Sequence, residues 1–272
     1  MKKAAVIGWP IKHSMSPVLH NYWLKHYNIQ GSYEKIAVEP IDFGHFIGSL
    51  QSGEYQGINI TVPYKELVVS LLNNKDASVI ATGAANVVTV SNGRLFGTNT
   101  DMYGFTKNLE ESGMFPRKKR AVILGSGGAA RSVIKALENM GFEEVHICAR
   151  NQKKARDIKS KASLCTEVYS WINRDKILSG CDLLVNTTTL GMQGKESLDI
   201  DLSHLPRHAV VYDIVYNPLL TDLLLQAQER GLMIVDGLGM LMHQAVPCFE
   251  AWFGVRPEVT VELKKHILEY MP

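Results

Sequence analysis

Ala121-Val122-Ile123-Leu124-Gly125-Ser126-Gly127-Gly128-Ala129-Ala130 is the stretch that decides the fold. Its first four residues are a short apolar run ended by glycine, the pattern of a strand buried on both faces. The residues after it are small, and a helix-like pattern follows. A dinucleotide pyrophosphate needs this arrangement. The first glycine makes the tight turn, the second lets the backbone approach the phosphates, and a small third residue, here Ala130, packs helix against strand. Phosphate charge would then lie on the free N–H groups of the helix N-terminus. Gly125, Ser126, Gly127, Gly128 and Ala129 are the expected phosphate cradle.

A second strand, expected over residues 144–149, ends about 25 residues beyond Gly125, as a βαβ unit requires. Further strands are expected near 182–186, 209–214 and 232–235 with helices between them, the spacing of a doubly wound nucleotide-binding domain. The end of the second strand selects the cofactor. An NAD site usually places Asp or Glu there for the ribose 2′-hydroxyl, but this chain has Cys148-Ala149-Arg150-Asn151-Gln152-Lys153-Lys154. Arg150 can stack on adenine and pair with a 2′-phosphate, and Lys153 and Lys154 can add charge. An ordinary basic helix start is the plainer reading, yet cations are slightly unfavourable at a helix N-terminus unless an anion offsets them. The segment from Ala149 through Arg150 and Asn151 to Lys154 therefore points to NADP(H).

The first half repeats the strand-then-glycine pattern at Ala4-Ala5-Val6-Ile7-Gly8. A helix is expected over 16–27, capped by Ser16 with Pro17 at its first position. A strand over 33–38, a helix over 41–50 and a strand over 57–62 follow. Short helices over 64–72 and 76–82 lead to a strand over 86–90. Asn92-Gly93 joins that strand to 94–96, a strong hairpin signal. Residues 101–111 read as a helix and Gly113-Met114-Phe115-Pro116 as its stop. After Gly237 two helices are expected, over 239–253 and 258–269. Alternation of strands and helices makes the fold α/β, with largely parallel sheets.

Four polar stretches of the first half fall where strands meet loops: Ser14-Met15-Ser16-Pro17, Asn59 to Lys65, Gly83-Ala84-Ala85-Asn86 and Gly97 to Asp101. Each alone has a plain reading, as a cap, a surface lysine or a turn residue. Together, at strand ends that open onto one crevice, they suit a small, hydroxyl-rich, anionic substrate.

Composition sets the outer bounds. A chain of 272 residues suits two domains and a sizeable core. The 29 basic residues nearly balance 27 acidic ones, a net charge of +2, which argues against a nucleic acid partner. The run Arg117-Lys118-Lys119-Arg120 reads as a solvated linker ahead of a strand. The four cysteines, Cys148, Cys165, Cys181 and Cys248, form no C-x-x-C pair and read as reduced thiols. No stretch approaches the ~18 apolar residues of a membrane helix. Met1-Lys2-Lys3 imitates a secretory leader only faintly, because Pro10, Lys12 and His13 end the apolar run early. A cytoplasmic protein without a membrane partner is expected, and a homodimer is allowed. His13, His20, His26 and His243 are not spaced as zinc ligands, so no metal is expected.

These motifs together resemble the shikimate dehydrogenase family, over nearly the whole chain and in the family's order. The resemblance rests on Ser14-x-Ser16-Pro17, Asn59-x-Thr61-x-Pro63-x-Lys65, Gly83-Ala84-x-Asn86, Asn99-Thr100-Asp101 and the glycine loop. It continues through Asn186-Thr187-Thr188 with Gly191-Met192, Asp213-x-x-Tyr216-x-Pro218-x-x-Thr221, and Gly237-x-Gly239-Met240-Leu241-x-x-Gln244-Ala245. It implies NADPH-dependent, reversible reduction of 3-dehydroshikimate to shikimate in aromatic amino acid biosynthesis. By that resemblance Ser14, Ser16 and Tyr216 hold the substrate carboxylate, and Thr61, Asn86, Asp101 and Gln244 its ring hydroxyls. Lys65 is the acid/base, paired with Asp101, and Ile214 and Gly237 lie against the nicotinamide. Elementary chemistry agrees: a ketone accepting hydride develops alkoxide charge that a nearby ammonium can stabilise and protonate.

The resemblance also implies a discontinuous catalytic domain, residues 1–101 with 239–272, and an inserted Rossmann-type NADP-binding domain over 102–238. Two departures stand out. The family's Asn-Arg-Thr after the second strand is Ala149-Arg150-Asn151 here, and its usual alanine in the loop is Ser126. A quinate/shikimate enzyme using NAD and a non-catalytic NADP-binding regulatory protein are the alternatives.

Overall fold

The computed structural model describes residues 1–271. The chain divides into two compact units, Met1–Asp101 with Met242–Pro272, and Met102–Leu241.

The first unit opens with β1 (Lys2–Gly8), α1 (Ser16–His26), β2 (Gly31–Ala37), α2 (Phe43–Ser49) and β3 (Gly57–Ile60). It continues with β4 (Asn74–Lys75), α3 (Ala77–Thr82), β5 (Val87–Ser91) and β6 (Arg94–Thr98). The sheet order is β2-β1-β3-β5-β6-β4. It is largely parallel, as expected: β2, β1, β3, β6 and β4 run one way, and β5 alone is antiparallel to its neighbours β3 and β6. The reversal is local chemistry. Asn92 and Gly93 take φ values of 50° and 68°, the paired left-handed geometry of a two-residue hairpin turn.

Two local expectations are corrected, and one strand lies outside those expected. Ser16 is the first residue of α1, and Met15 occupies the cap position with no side-chain capping bond to the helix. The Ser14 hydroxyl instead accepts from the Ser16 N–H at 3.4 Å, which leaves Ser16 buried rather than capping. The helix expected over 64–72 is only a 3-10 helix, Leu67–Leu71; Tyr64, Leu67, Val68, Leu71 and Leu72 do recur at helical spacing, but Leu67 and Leu71 stay exposed and only part of that stripe is buried. The short edge strand β4 pairs with β6, and its two exposed polar residues give no apolar signal in the sequence.

The core of this unit gathers Ile7, Ile47, Leu50, Ile58, Ile60 and Tyr64 beneath the sheet. On another side His20 is wholly buried in an aromatic box. Its ring stacks on Tyr33 at 4.0 Å, with Trp23, Phe249 and Trp252 around it. Neither ring nitrogen has a hydrogen-bond partner, and burial pushes the imidazole down to about 3.

The chain enters the second unit through α4 (Asp101–Glu111), followed by β7 (Arg120–Leu124), α5 (Gly128–Met140), β8 (Glu144–Ala149), α6 (Gln152–Lys159) and β9 (Cys165–Ser170). Then come β10 (Leu183–Asn186), β11 (Val210–Asp213), α7 (Asp222–Glu229) and β12 (Met233–Val235). It leaves through α8 (Leu238–Phe253), which precedes α9 (Val261–Glu269). The sheet is wholly parallel in the order β12-β11-β10-β7-β8-β9, a doubly wound arrangement. The period-two alternation of β7 explains the layering. Ala121 and Ile123 pack with Val133, Leu137 and Ile147 on one face, and Val122 and Leu124 pack with Leu184 and Val211 on the other. Each buried Leu or Ile contributes about 1.5–3 kcal/mol, so both faces resist exposure. Strand β9 lies outside the expected elements, since its exposed Cys165 and Glu167 hide the alternation at a sheet edge.

Candidate active site

In the first unit the strand directions gather the polar stretches. The C-terminal ends of β1, β3 and β6 and the N-terminal end of β5 share one edge, because β5 is antiparallel to its neighbours. Backbone bonds lock that edge: Thr61 N–H donates to the Ile7 carbonyl at 3.0 Å, Ile60 N–H to the Asn86 carbonyl at 2.8 Å, and Ala85 N–H to the Lys65 carbonyl at 2.8 Å. Ser14 and Ser16 follow β1, Thr61 and Lys65 follow β3, Asn86 precedes β5, and Asp101 lies beyond β6. Asn86 thus reaches the edge from the start of a strand, where a purely parallel sheet would have placed it at the opposite side.

Lys65 Nζ donates to Asp101 Oδ2 at 2.5 Å, with the lysine side chain 16% exposed and the aspartate 5%. Asp101 is the first residue of α4, so its negative charge also sits at the positive end of a helix dipole. Its other oxygen accepts from Asn86 Nδ2 at 3.0 Å, and its N–H donates to Asn99 Oδ1 at 3.1 Å. Asn86 Nδ2 also lies 2.9 Å from Thr100 Oγ1 and 3.2 Å from Gln244 Oε1, while Asn86 Oδ1 accepts from Thr100 N–H at 2.7 Å. One buried amide therefore ties together Asp101, Thr100 and, from α8, Gln244. The group is oriented by its own hydrogen bonds, an arrangement whose polar atoms are chemically suited to hydroxyls.

Tyr216 belongs to the second unit, unlike the other residues expected at the substrate. It follows Asp213, a wholly buried carboxylate that accepts from Asn186 Nδ2 at 3.0 Å, Val215 N–H at 3.0 Å and Thr221 Oγ1 at 2.7 Å. Burial pushes Asp213 up to about 6 against those three donors. Ile214 and Gly237 do meet: a Cβ on Gly237 would come within 2.7 Å of the Val215 carbonyl oxygen and 2.6 Å of the Ile214 carbonyl carbon. Only glycine allows that approach of two backbones.

The glycine loop joins β7 to α5. Gly125 has φ 113° and a Cβ there would strike Thr187 Oγ1 at 2.7 Å. Thr187 in turn donates its hydroxyl to the Leu124 carbonyl at 2.6 Å, so the loop is clamped against the end of β10 where the strand order reverses. Gly127 is the cap residue of α5, with no side-chain capping bond, and a Cβ on it would meet nothing within 4 Å. Open space beside the uncapped N–H groups of a 13-residue helix fits a diphosphate. After β8, Ala149 is buried in the core and its carbonyl accepts from Gln152 Nε2 at 2.7 Å. Arg150, Lys153 and Lys154 are exposed. Asn151 caps α6, its Oδ1 accepting from Lys154 N–H at 3.0 Å, and the nearby carboxylate Asp157 is paired to Arg131 at 2.7 Å. The donor set at the end of β8 is thus cationic, which suits a 2′-phosphate.

Residues 6–88 match the family model described as the shikimate dehydrogenase substrate binding domain, and residues 112–214 that of shikimate / quinate 5-dehydrogenase. A Paramagnetospirillum magneticum (strain ATCC 700264 / AMB-1) protein named shikimate dehydrogenase (NADP(+)) is 46% identical over 268 residues, which covers 97% of each chain. The chain belongs to the shikimate dehydrogenase family. Among solved structures, the Thermus thermophilus shikimate 5-dehydrogenase in complex with NADP(H) and shikimate superposes with a TM-score of 0.87 at 30% identity, covering 99% of both chains. The Corynebacterium glutamicum quinate dehydrogenase in complex with NAD gives 0.88 at 26% identity, covering 98% of this chain and 99% of that one. Relatives of shikimate dehydrogenase therefore include both cofactor types, and the segment after β8 has to be read in this chain itself.

Sequence reasoning passes over three residues of the polar edge. Asn59 and Thr100 lie inside the quoted motifs without a role, and Cys248 reads only as a thiol. Their signal is the company of Asn86 and Gln244, which no spacing reveals.

Proposed function

We propose that this chain is an NADP-dependent oxidoreductase that interconverts 3-dehydroshikimate and shikimate. The observation that carries the reading is the Lys65–Asp101 pair, a half-buried ammonium on a buried carboxylate that is held in contact with Asn86, next to Gln244. A protein that merely bound the cofactor would have no use for a lysine so placed. Residues 1–101 with the C-terminal helices take the substrate, and residues 102–238 the cofactor.

Bound at the glycine loop, NADPH supplies a hydride to the carbonyl carbon. The loop from Gly125 to Ala129 holds its diphosphate through backbone N–H groups, and Arg150, Lys153 and Lys154 hold the 2′-phosphate. Ile214 and Gly237 offer backbone to the nicotinamide. Ser14, Ser16 and Tyr216 bind the substrate carboxylate. Thr61, Asn86 and Gln244 orient the ring hydroxyls, with Asp101 accepting from one of them. As the carbonyl bond breaks toward oxygen, Lys65 donates its Nζ proton to the forming alkoxide, and Asp101 keeps the ammonium aimed. In the reverse direction the lysine amine takes that proton back. No helix among the described residues is long and apolar enough to cross a membrane. We place the reaction in the cytoplasm, on a small-molecule substrate and without a nucleic acid partner.

The test is absorbance at 340 nm with shikimate or quinate, each with NADP or NAD, for the unaltered protein and for Lys65→Ala. Strong turnover of shikimate with NADP, lost by orders of magnitude in the variant, is expected. Turnover mainly with NAD would overturn the reading of Arg150, turnover mainly of quinate that of the substrate, and no turnover at all the enzyme.

A further inference from the structure

The proposed mechanism makes no use of Cys248, although its thiol lies in the middle of the polar edge. Cys248 is wholly buried on α8, one turn beyond Gln244. Its S–H donates to the Gln244 carbonyl at 3.1 Å, and its sulfur accepts from Asn59 Nδ2 at 3.4 Å and lies 3.6 Å from Thr100 Oγ1. Three separate parts of the first unit therefore converge on one sulfur: the end of β3, the connection from β6 to α4, and α8.

Each of those partners also holds Asn86. Asn59 Nδ2 donates to the Asn86 carbonyl at 3.1 Å, and Asn59 Oδ1 accepts from Tyr33 Oη at 2.6 Å. Thr100 brackets the Asn86 side chain from both ends, through its N–H and its hydroxyl. Gln244 faces the same amide on the far side. The sulfur is thus the point behind Asn86 where the three supports meet. Burial pushes the thiol up to about 11, so it stays protonated and keeps its S–H donor. A buried thiol of this kind is ordinarily a small hydrophobe; three polar neighbours are unusual company for one.

We infer that Cys248 is a positioning residue, whose thiol sets the separation between α8 and the β3 and β6 ends and so fixes the Asn86 and Gln244 amides for the substrate hydroxyls. The inference rests on the proposed reading of the substrate site. Cys248 makes no bond to Lys65 or to the cofactor segment, so its signature falls first on substrate binding and not on the cofactor.

Three variants separate polarity from packing. Cys248→Val keeps the volume and removes the polar contacts. Cys248→Ser keeps a donor to the Gln244 carbonyl and an acceptor for Asn59. Cys248→Ala removes both. Steady-state kinetics should show KM for shikimate raised about five- to tenfold in Cys248→Val and Cys248→Ala, the scale of one lost buried hydrogen bond. KM for NADP should stay as in the unaltered protein, and Cys248→Ser should have a KM for shikimate within about twofold of it. A role in packing alone predicts the opposite order, with Cys248→Val unaffected and Cys248→Ser impaired, and that result would overturn the inference. So would parallel shifts in both KM values. If the unaltered protein turns over no shikimate, it is the proposed function that has failed and not the part played by Cys248.

Discussion

Replacing His20 with phenylalanine should make the first unit less sensitive to acid. In the folded chain the imidazole is wholly buried between Tyr33 and the surrounding indole and phenyl rings, and it stays neutral down to about pH 3. In the unfolded chain it titrates near 6.5. The sign follows from proton uptake. At pH 7.5 neither state binds the proton, so His20 contributes no pH dependence. Below 6.5 the unfolded state takes it up and the folded state does not, so stability falls as pH drops from 6.5 toward 3. Integrated from pH 7.5 to 5.0, this single group removes about 2 kcal/mol. Carboxylates elsewhere titrate in both proteins and cancel in the comparison. Phenylalanine fills the same box without an orphan N–H, so the variant should be no less stable at pH 7.5. The assay is urea unfolding of both proteins at the two pH values, followed by the fluorescence of Trp23 and Trp252, which flank the imidazole. The unaltered protein should lose about 2 kcal/mol more than the variant between pH 7.5 and 5.0. Parallel losses in the two proteins would show that the ring is solvated or paired, and the burial argument would fall.

Other outcomes follow from the same geometry. Asp101→Asn removes the carboxylate from Lys65 while keeping an acceptor near Asn86, so kcat with shikimate should fall by about a hundredfold or more, with the fold intact by circular dichroism. Arg150→Ala should raise KM for NADP about ten- to a hundredfold, the scale of a lost charge-assisted bond, and raise KM for NAD far less, by the loss of the adenine stack alone. Gly125→Ala places a Cβ 2.7 Å from Thr187 Oγ1 on a backbone with φ 113°. NADP affinity in a titration of the variant should collapse, and Gly127→Ala, whose Cβ meets no protein atom but enters the space left for the diphosphate, should lower affinity while leaving the fold intact.

Local signals in the sequence carry the architecture where they are self-contained. Asn92-Gly93 specifies its hairpin, and Asp101 opens α4 at the residue expected. The glycine loop, with a strand before it and a helix after it, leads to the doubly wound sheet. Expectations fail where the deciding force is distant. The edge strand β9 is held by its pairing with β8, and its exposed residues show no apolar alternation. Ser16 lies one residue inside the helix, with Met15 at the cap position and the Ser14 hydroxyl accepting from its N–H. The candidate site divides the same way. Lys65 and Asp101 stand out by resemblance to a family, but their contact depends on β3 and β6 ending at one edge, which is a property of strand order. His20 and Cys248 are unreadable from the sequence. Their neighbours come from β2, β3 and α8, and no spacing in the chain tells a boxed imidazole or a bridging thiol from ordinary core.

The Asn86 side chain carries a consequence in simple counting. Its Nδ2 has two hydrogens, yet Thr100 Oγ1, Asp101 Oδ1 and Gln244 Oε1 all lie within 3.2 Å of it. Two hydrogens are thus divided among three oxygens, and the Thr100 hydroxyl keeps its own hydrogen to place elsewhere, as toward Cys248. Under the proposed function a substrate hydroxyl enters a set of bonds that is already shared, and it can both accept and donate there. An analogue with hydrogen in place of that hydroxyl should bind more weakly, because it can join no such exchange.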